Sequence, residues 1–548
     1  MGKEPLRLNF QKFFDRALLW CRSRPLISIF LTTLFLITGP AIMMAIAAAQ
    51  SEDSNPGYNF SDVFFAFITL SFLILVGRWI RQHVGILQSL YLPSSVVAGV
   101  VALLLGPGVL GAIVSATAGD GTVLSNGLFS EPILDIWSAI PGVFINIVFA
   151  TIFLGEYIPP PGEIWRRASP QVAFGQSLAW GQYVVGIALA LLILGPVFGL
   201  PPAAGALIEI GFEGGHGTAA GMAGVFDDIG FEAGSDLAIG MATVGIISGI
   251  LVGVVLSNWG RHRGHTVASQ RDAEAIPSDA QERAPVEQEE PEVTERRQRH
   301  LDSLLIDPLS LQFGFVGLAI MIGWLILRLL TFIESLTWNQ GGEGVAILSG
   351  IPLFPMALVG GIIVQVILKK LDRQYLISRP LMVRIGGVAL DATIVSALAT
   401  ISLAIIARNF GAFAVLSIAG IAWNVLFFIF LAPRMIPRAW FERGIGDFGQ
   451  SMGVTATGIL LMRMVDSDDS TGAFESFGYK QLFFEPIVGG GLFTGASPVL
   501  INQFGPVPVL LLTGGLLVFW VIFGLWNSKR ISRSMAATET QGETVSAR

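Results

Sequence analysis

The chain has 548 residues, of which 53% are hydrophobic and 13% charged, and its formal net charge is −7. Soluble domains carry about a quarter charged residues, so this composition excludes an ordinary soluble protein and points to a chain built for lipid. A single cysteine, Cys21, excludes an internal disulfide and any cysteine-based metal site.

A helix needs roughly 20 apolar residues to cross the hydrocarbon core, and about a dozen segments qualify by that measure. They lie near 26–50, 60–80, 90–114, 133–155, 170–200, 236–259, 307–330, 345–368, 382–407, 410–433, 483–502 and 505–527. The first ends in AIMMAIAAAQ, which resembles a signal peptidase site, but the uncharged run from Leu26 to Gln50 is long for a signal and favours a retained span over a cleaved one. With the basic N-terminus (Lys3, Arg7, Lys12, Arg16, Arg22, Arg24) in the cytoplasm, alternate loops collect the cations. These are Arg78/Arg81, Arg166/Arg167, Arg261/Arg263, Lys369/Lys370/Arg373, Arg434/Arg438 and Lys529/Arg530. The opposite loops carry Glu52/Asp53, Asp120/Glu131 and Glu334/Glu343, with Arg408 the exception. The expectation is a multi-pass protein of the cell membrane with both termini cytoplasmic.

A hydrophilic stretch rich in Glu, Gln, Pro and Arg cuts the apolar part in two and is expected to be a disordered cytoplasmic linker, 261–305. The expected organisation is a basic N-terminus and extra span (1–56), a first membrane repeat (57–260), the linker, a second repeat (306–504), and an extra C-terminal span with its tail (505–548). Each repeat has four spans, a glycine-rich interruption and a further apolar segment. The first interruption, EGGHGTAAGMAGVF (Glu213 to Phe226), is nearly free of bulky side chains over most of its length; the second reads GQSMGVTATG (Gly449 to Gly458). The assigned topology enters the first from outside and the second from the cytoplasm. The predicted fold class is therefore an all-α polytopic membrane protein of two inverted five-helix repeats, each with a re-entrant loop, plus the two extra spans. Irregular backbone at membrane depth persists only where it lines a wet cavity or is buried in protein. Freed N–H groups suit an anion, freed carbonyls suit Na⁺, and Thr adds a hydroxyl. The competing reading is close helix packing through small residues.

These residues resemble the bacterial sodium/glutamate symporter family. The resemblance is clearest at Gly214-Gly215-His216-Gly217-Thr218 and at Ala242-Thr243-Val244-Gly245. Further echoes are LILVGRWI (Leu73 to Ile80), LPSSVVAG (Leu92 to Gly99), FATIFLGEY (Phe149 to Tyr157) and FEPIVGGGLF (Phe484 to Phe493). The resemblance implies Na⁺-driven glutamate uptake by a homodimer, with an elevator-like motion of a core domain. The second loop departs from the family pattern, because MGVTATG lacks the proline of a Gly-x-Thr-Pro element.

Candidate substrate-binding residues are Gly214, Gly215, His216, Gly217 and Thr218 in the first loop, and Gly453, Thr455 and Thr457 in the second. Arg463, beyond the second loop, could clamp a carboxylate or serve as a cytoplasmic anchor. Asp391, the only acid deep in a long apolar span, is the candidate for ion coupling, with Asn146 on the corresponding early helix a further one; interhelical hydrogen bonds are the alternative for both. His216 lacks metal-ligand spacing, so no metal is expected beyond transported Na⁺, and no cofactor. The expected partners are glutamate, Na⁺, the bilayer and a second copy of the chain, with no nucleic acid. No GxxxxGK[ST] loop is present, which argues against an ATP-driven pump. The alternatives are Na⁺- or H⁺-coupled transport of another small organic anion, and an intramembrane aspartyl protease. The latter would use Asp391 with Asp447, the aspartate of GIGDFG.

Overall fold

The structure, a computed structural model, describes residues 60–266 and 307–546 apart from 90–91, 120–121, 123, 126, 157, 159, 340–347 and 467–469, together with 294, 296 and 297. The expected span at 26–50 and most of the expected linker lie outside the described residues. Among the described residues the fold is helical without strands, and ten helices are long and apolar enough to cross a membrane. It is an all-α polytopic membrane protein.

The first half runs α1 (Phe60–His83), α2 (Ser94–Leu105), α3 (Glu131–Thr151), α4 (Pro161–Leu189), the short α5 (Leu207–Phe212) and α6 (Gly215–Gly221), and α7 (Gly234–His262). The second runs α8 (Pro308–Leu336), α9 (Leu353–Lys370), α10 (Arg379–Ala399), α11 (Phe410–Met435), α12 (Trp440–Val465), α13 (Ala473–Phe484) and α14 (Leu492–Phe504). A last helix, α15 (Pro506–Ser546), follows. Local chemistry sets several starts. Asp307 caps α8 by accepting from the Ser310 N–H at 2.9 Å, and Pro308 supplies a first helical residue that needs no N–H partner.

The segment 483–502, expected as one span, is broken. α13 ends at Phe484 and α14 begins at Leu492, with Glu485-Pro486-Ile487-Val488-Gly489-Gly490-Gly491 between them. Pro486 lacks an N–H, and Gly489 and Gly490 adopt φ +72° and +101°, a region that other residues rarely occupy.

Two bundles result. The first three helices of each half pack together, α1 on α2 and α3, α2 and α3 on α10, α9 on α3 and α8. The remaining helices, α4, α7 and α11 to α14, surround both interrupted segments, and α15 lies against α4 and α11. Within the first bundle, Arg379 at the start of α10 donates from Nη1 to the carbonyls of Thr151 (3.0 Å), Ile152 (2.8 Å) and Leu154 (3.2 Å), and from Nε to Glu156 (2.8 Å). A cation thus sits where the carbonyls of α3 run out of helical partners. Gln365 of α9 adds bonds to Gly155 N and Glu156 O, so residues 149–156 are a helix end capped by the other half of the chain. Arg297, within the expected linker, donates to the carbonyls of Tyr375 (2.7 Å) and Ile377 (2.9 Å) beside the start of α10.

Candidate functional site

Both glycine-rich segments are helices with a short break rather than open loops. In the first, the break falls at Glu213-Gly214-Gly215 between α5 and α6, with Gly215 at φ +68°. In the second, α12 is helical on both sides of Gly453 (φ −158°, ψ 46°) and Val454 (φ 61°, ψ 174°). Val454 is a β-branched residue held at positive φ, a strained backbone that the surrounding structure must impose.

The two breaks meet. A Cβ placed on Gly215 would lie 2.3 Å from Cγ1 of Val454, so only glycine admits this approach. Beside it, Ser451 Oγ donates to Glu213 Oε1 at 2.5 Å, joining residues 238 positions apart. The Ser451 carbonyl, freed near the break, accepts from Gln182 of α4 (2.7 Å) and Asn424 of α11 (3.0 Å). α7 closes the third side, since a Cβ on Gly245 would lie 2.2 Å from the Met452 carbonyl oxygen.

Around this meeting point lies a buried polar cluster. Glu209 of α5, fully buried, accepts from Tyr183 Oη (2.5 Å), Gly489 N (2.8 Å) and Thr494 Oγ1 (2.7 Å), and so holds the turn between α13 and α14. Lys480 of α13 donates to Asp447 Oδ1 (2.8 Å) and Gln450 Oε1 (2.7 Å), with its ammonium 4.0 Å from the Phe484 ring centroid. Both members of the pair are completely buried. Gln450 also reaches Glu485 Oε1 (3.4 Å), which accepts from Thr455 Oγ1 (3.1 Å). Beyond the end of α12, burial pushes the Asp466 carboxyl up, but hydrogen bonds from Ser470 and Thr471 outweigh it and hold the group below the usual carboxylate range.

The sequence candidates fall in three places. Gly214, Gly215 and Thr218 are at the first break, and the Thr218 hydroxyl, 1% exposed, has no hydrogen-bond partner among the described residues. His216 bonds Thr243 of α7 at 2.9 Å, tying GGHGT to ATVG. Gly453 is in the second break and Thr455 directly follows it, and Thr457 Oγ1 donates back to the Gly453 carbonyl at 2.5 Å. Gly217 faces the other bundle, its Cβ position lying 3.0 Å from Ile145 of α3 and 3.2 Å from Leu390 of α10. Asn146 and Asp391 are the next residues along those two helices, so the structure brings α6 between the helices that carry them. Asn146 donates to the carbonyls of its own helix at Gly142 and Val143. Arg463 stands apart, eight residues beyond Thr455 and hence about 12 Å along the helix.

Sequence reasoning did not select Glu209, Lys480, Gln450 or Glu485. A signal was present: Phe477, Lys480, Gln481 and Phe484 recur at helical spacing, and Asp447, Gln450 and Ser451 form a matching stripe on α12. Asp447, half of the protease alternative, is engaged by Lys480 rather than by a second carboxylate. Among the described residues no three His, Cys, Asp or Glu side chains converge to hold a metal ion.

The arrangement is a pair of broken helices, one from each half, enclosed by intact helices and rich in buried polar groups. That is an architecture for binding a small polar solute at membrane depth. No curated protein matches the chain. The family model of the sodium/glutamate symporter matches residues 171–468, more than half of the chain, from α4 through both breaks to the end of α12. The match spans the residues that build the meeting of the breaks, and the chain belongs to the sodium/glutamate symporter family.

Proposed function

We propose that this protein is a secondary active transporter that carries glutamate, or a closely related small carboxylate, together with Na⁺ by an elevator-like alternating-access mechanism. The observation that carries the reading is the contact of the two breaks, Gly215 against Val454 and Glu213 against Ser451, within the segment that matches the family. Backbone groups of both breaks and the hydroxyls of Thr218 and Thr455 take the substrate in this reading. His216 and Thr457 fix the two segments, and Arg463 is kept as a candidate carboxylate contact. Asn146 and Asp391, on the helices flanking α6, contribute to ion coupling. The bundle of α4, α7 and α11 to α14 moves against the bundle of α1 to α3 and α8 to α10, and the protein works as a homodimer. The protein sits in the cell membrane with both termini cytoplasmic. An anionic substrate loses its hydration at the site, and a cation bound beside it offsets that loss. Net positive charge then moves down the membrane potential, worth about 2.3 kcal/mol per charge per 100 mV.

The test is uptake of radiolabelled glutamate by purified protein in liposomes under an inward Na⁺ gradient. Gly217→Val, which wedges a side chain between Ile145 and Leu390, should abolish uptake, and Asp391→Asn should weaken its dependence on the gradient. Uptake of a different acid under the same gradient would move the substrate and keep the architecture. Failure with every carboxylate tried, under Na⁺ or H⁺, would remove the reading.

A further inference from the structure

Four carboxylates are buried around the meeting of the breaks, and the structure treats them unequally. Asp447 has a tethered cation, Lys480, on Oδ1, although its Oδ2 is buried without a hydrogen-bond partner among the described residues. Glu209 has three donors on its two oxygens. Glu485 accepts from Thr455 and Gln450. Glu213 has one donor, Ser451 Oγ, on Oε1, while its Oε2 is buried without a hydrogen-bond partner among the described residues. It is 2% exposed, and no cation lies within ion-pair distance of it there.

A buried carboxylate oxygen left uncompensated costs several kcal/mol, so such a group takes up a positive charge. Next along the chain from Glu213 is Gly214, whose Cβ position lies 2.8 Å from Cβ of Thr218. The Thr218 hydroxyl is another buried oxygen without a hydrogen-bond partner among the described residues, and it too belongs to the first break. We infer that Glu213 is the binding group for the coupling cation, a monovalent ion held by its free oxygen at the junction of the two breaks, with Ser451 positioning the carboxylate. This rests on the reading of the protein as an ion-coupled transporter. The lack of any converging trio of acidic or histidine side chains among the described residues fits a single-carboxylate, monovalent site rather than a divalent one.

The assignment gives the contact between the halves a function. Ser451 is three residues from Val454 and belongs to the second half, whereas Glu213 belongs to the first. A cation on Glu213 is thus sensed by both breaks at once. The charged neighbours that act on it are Glu209 on α5, and Lys480 and Glu485 from α13 and the turn that follows it.

Na⁺ alone is the probe, and the full chain in detergent is the sample. Thermal unfolding is followed in NaCl and in choline chloride, without glutamate. The wild type should be stabilised by Na⁺. Glu213→Gln should raise the half-effective Na⁺ concentration by about tenfold or more, and Ser451→Ala should raise it to a smaller extent. Should Glu213→Gln fail to fold, Ser451→Ala and Glu213→Asp carry the test through the same shift. If stabilisation follows lowered pH instead of Na⁺, and Glu213→Gln removes it, the cation is a proton and the assignment stands. Na⁺ and pH profiles of Glu213→Gln that overlay the wild type would overturn it, as would a wild type indifferent to both ions. Glu213-dependent Na⁺ binding in a chain that moves no glutamate would keep this site and retire the substrate reading. Na⁺-driven glutamate uptake unaltered in Glu213→Gln would do the reverse.

Discussion

At Gly215 a single methyl group meets two obstacles. The residue sits at φ +68°, which costs a non-glycine residue about 1–2 kcal/mol, and its Cβ would lie 2.3 Å from Val454 Cγ1. Gly215→Ala should therefore reduce uptake to less than about a tenth of the wild-type rate. Gly215→Ala with Val454→Ala should recover part of it, because the clash goes and the backbone cost stays. The Lys480–Asp447 pair obeys a different logic. Lys480→Met leaves Asp447 buried without its cation and should cost about 3–5 kcal/mol, read as a lower melting temperature in detergent. Adding Asp447→Asn should return most of that loss. The glycines and threonines of the two segments were legible in the sequence because their types announce irregular backbone. Lys480 and Glu209 were not, because a residue's type does not say which distant group will compensate it.

At the scale of elements, the turn between α13 and α14 hangs from another part of the chain. Glu209 on α5 receives Gly489 N and Thr494 Oγ1, some 280 residues later, along with the Tyr183 hydroxyl. Glu209→Ala would leave all three donors buried without an acceptor, at about 1–3 kcal/mol each. We expect marked thermal destabilisation, together with protease sensitivity at 485–491. The run 483–502 reads as a span because averaged hydropathy is blind to where the chain loses its helical hydrogen bonds. Pro486 and the three glycines that follow Val488 carried that information locally. The second glycine-rich segment is marked in the sequence by its Gly, Thr and Ala residues, yet its break is only two residues long, at Gly453 and Val454. Composition locates such a break to within a turn or two and leaves its geometry to tertiary contacts.

The whole molecule divides into bundles that sequence periodicity could not assign. Span positions follow from apolar length, and the two halves are separated by a hydrophilic insert, so the order of elements was readable. Which helix packs on which was not, since α3 and α10 come from opposite halves. If the bundles move past each other, joining them should stop transport. The Cβ position of Gly221 lies 3.3 Å from Cβ of Ile145, close to disulfide geometry. In a Cys21→Ser background, cysteines at 145 and 221 should block uptake when oxidised and release it on reduction. Unimpaired uptake by the crosslinked protein would exclude relative motion at that contact.

The C-terminal helix α15 is fastened to one bundle. Asn527 Nδ2 donates to Ser169 Oγ of α4 at 2.9 Å, and Trp165 of α4 packs with Trp520 and Phe523. α15 therefore belongs to the same bundle as the breaks, and in the proposed motion a group attached beyond Asn527 would be carried with them. A fluorophore placed there becomes a remote needle on the gauge. It would register displacement of the binding machinery against α1 or α8 without a label anywhere near the solute.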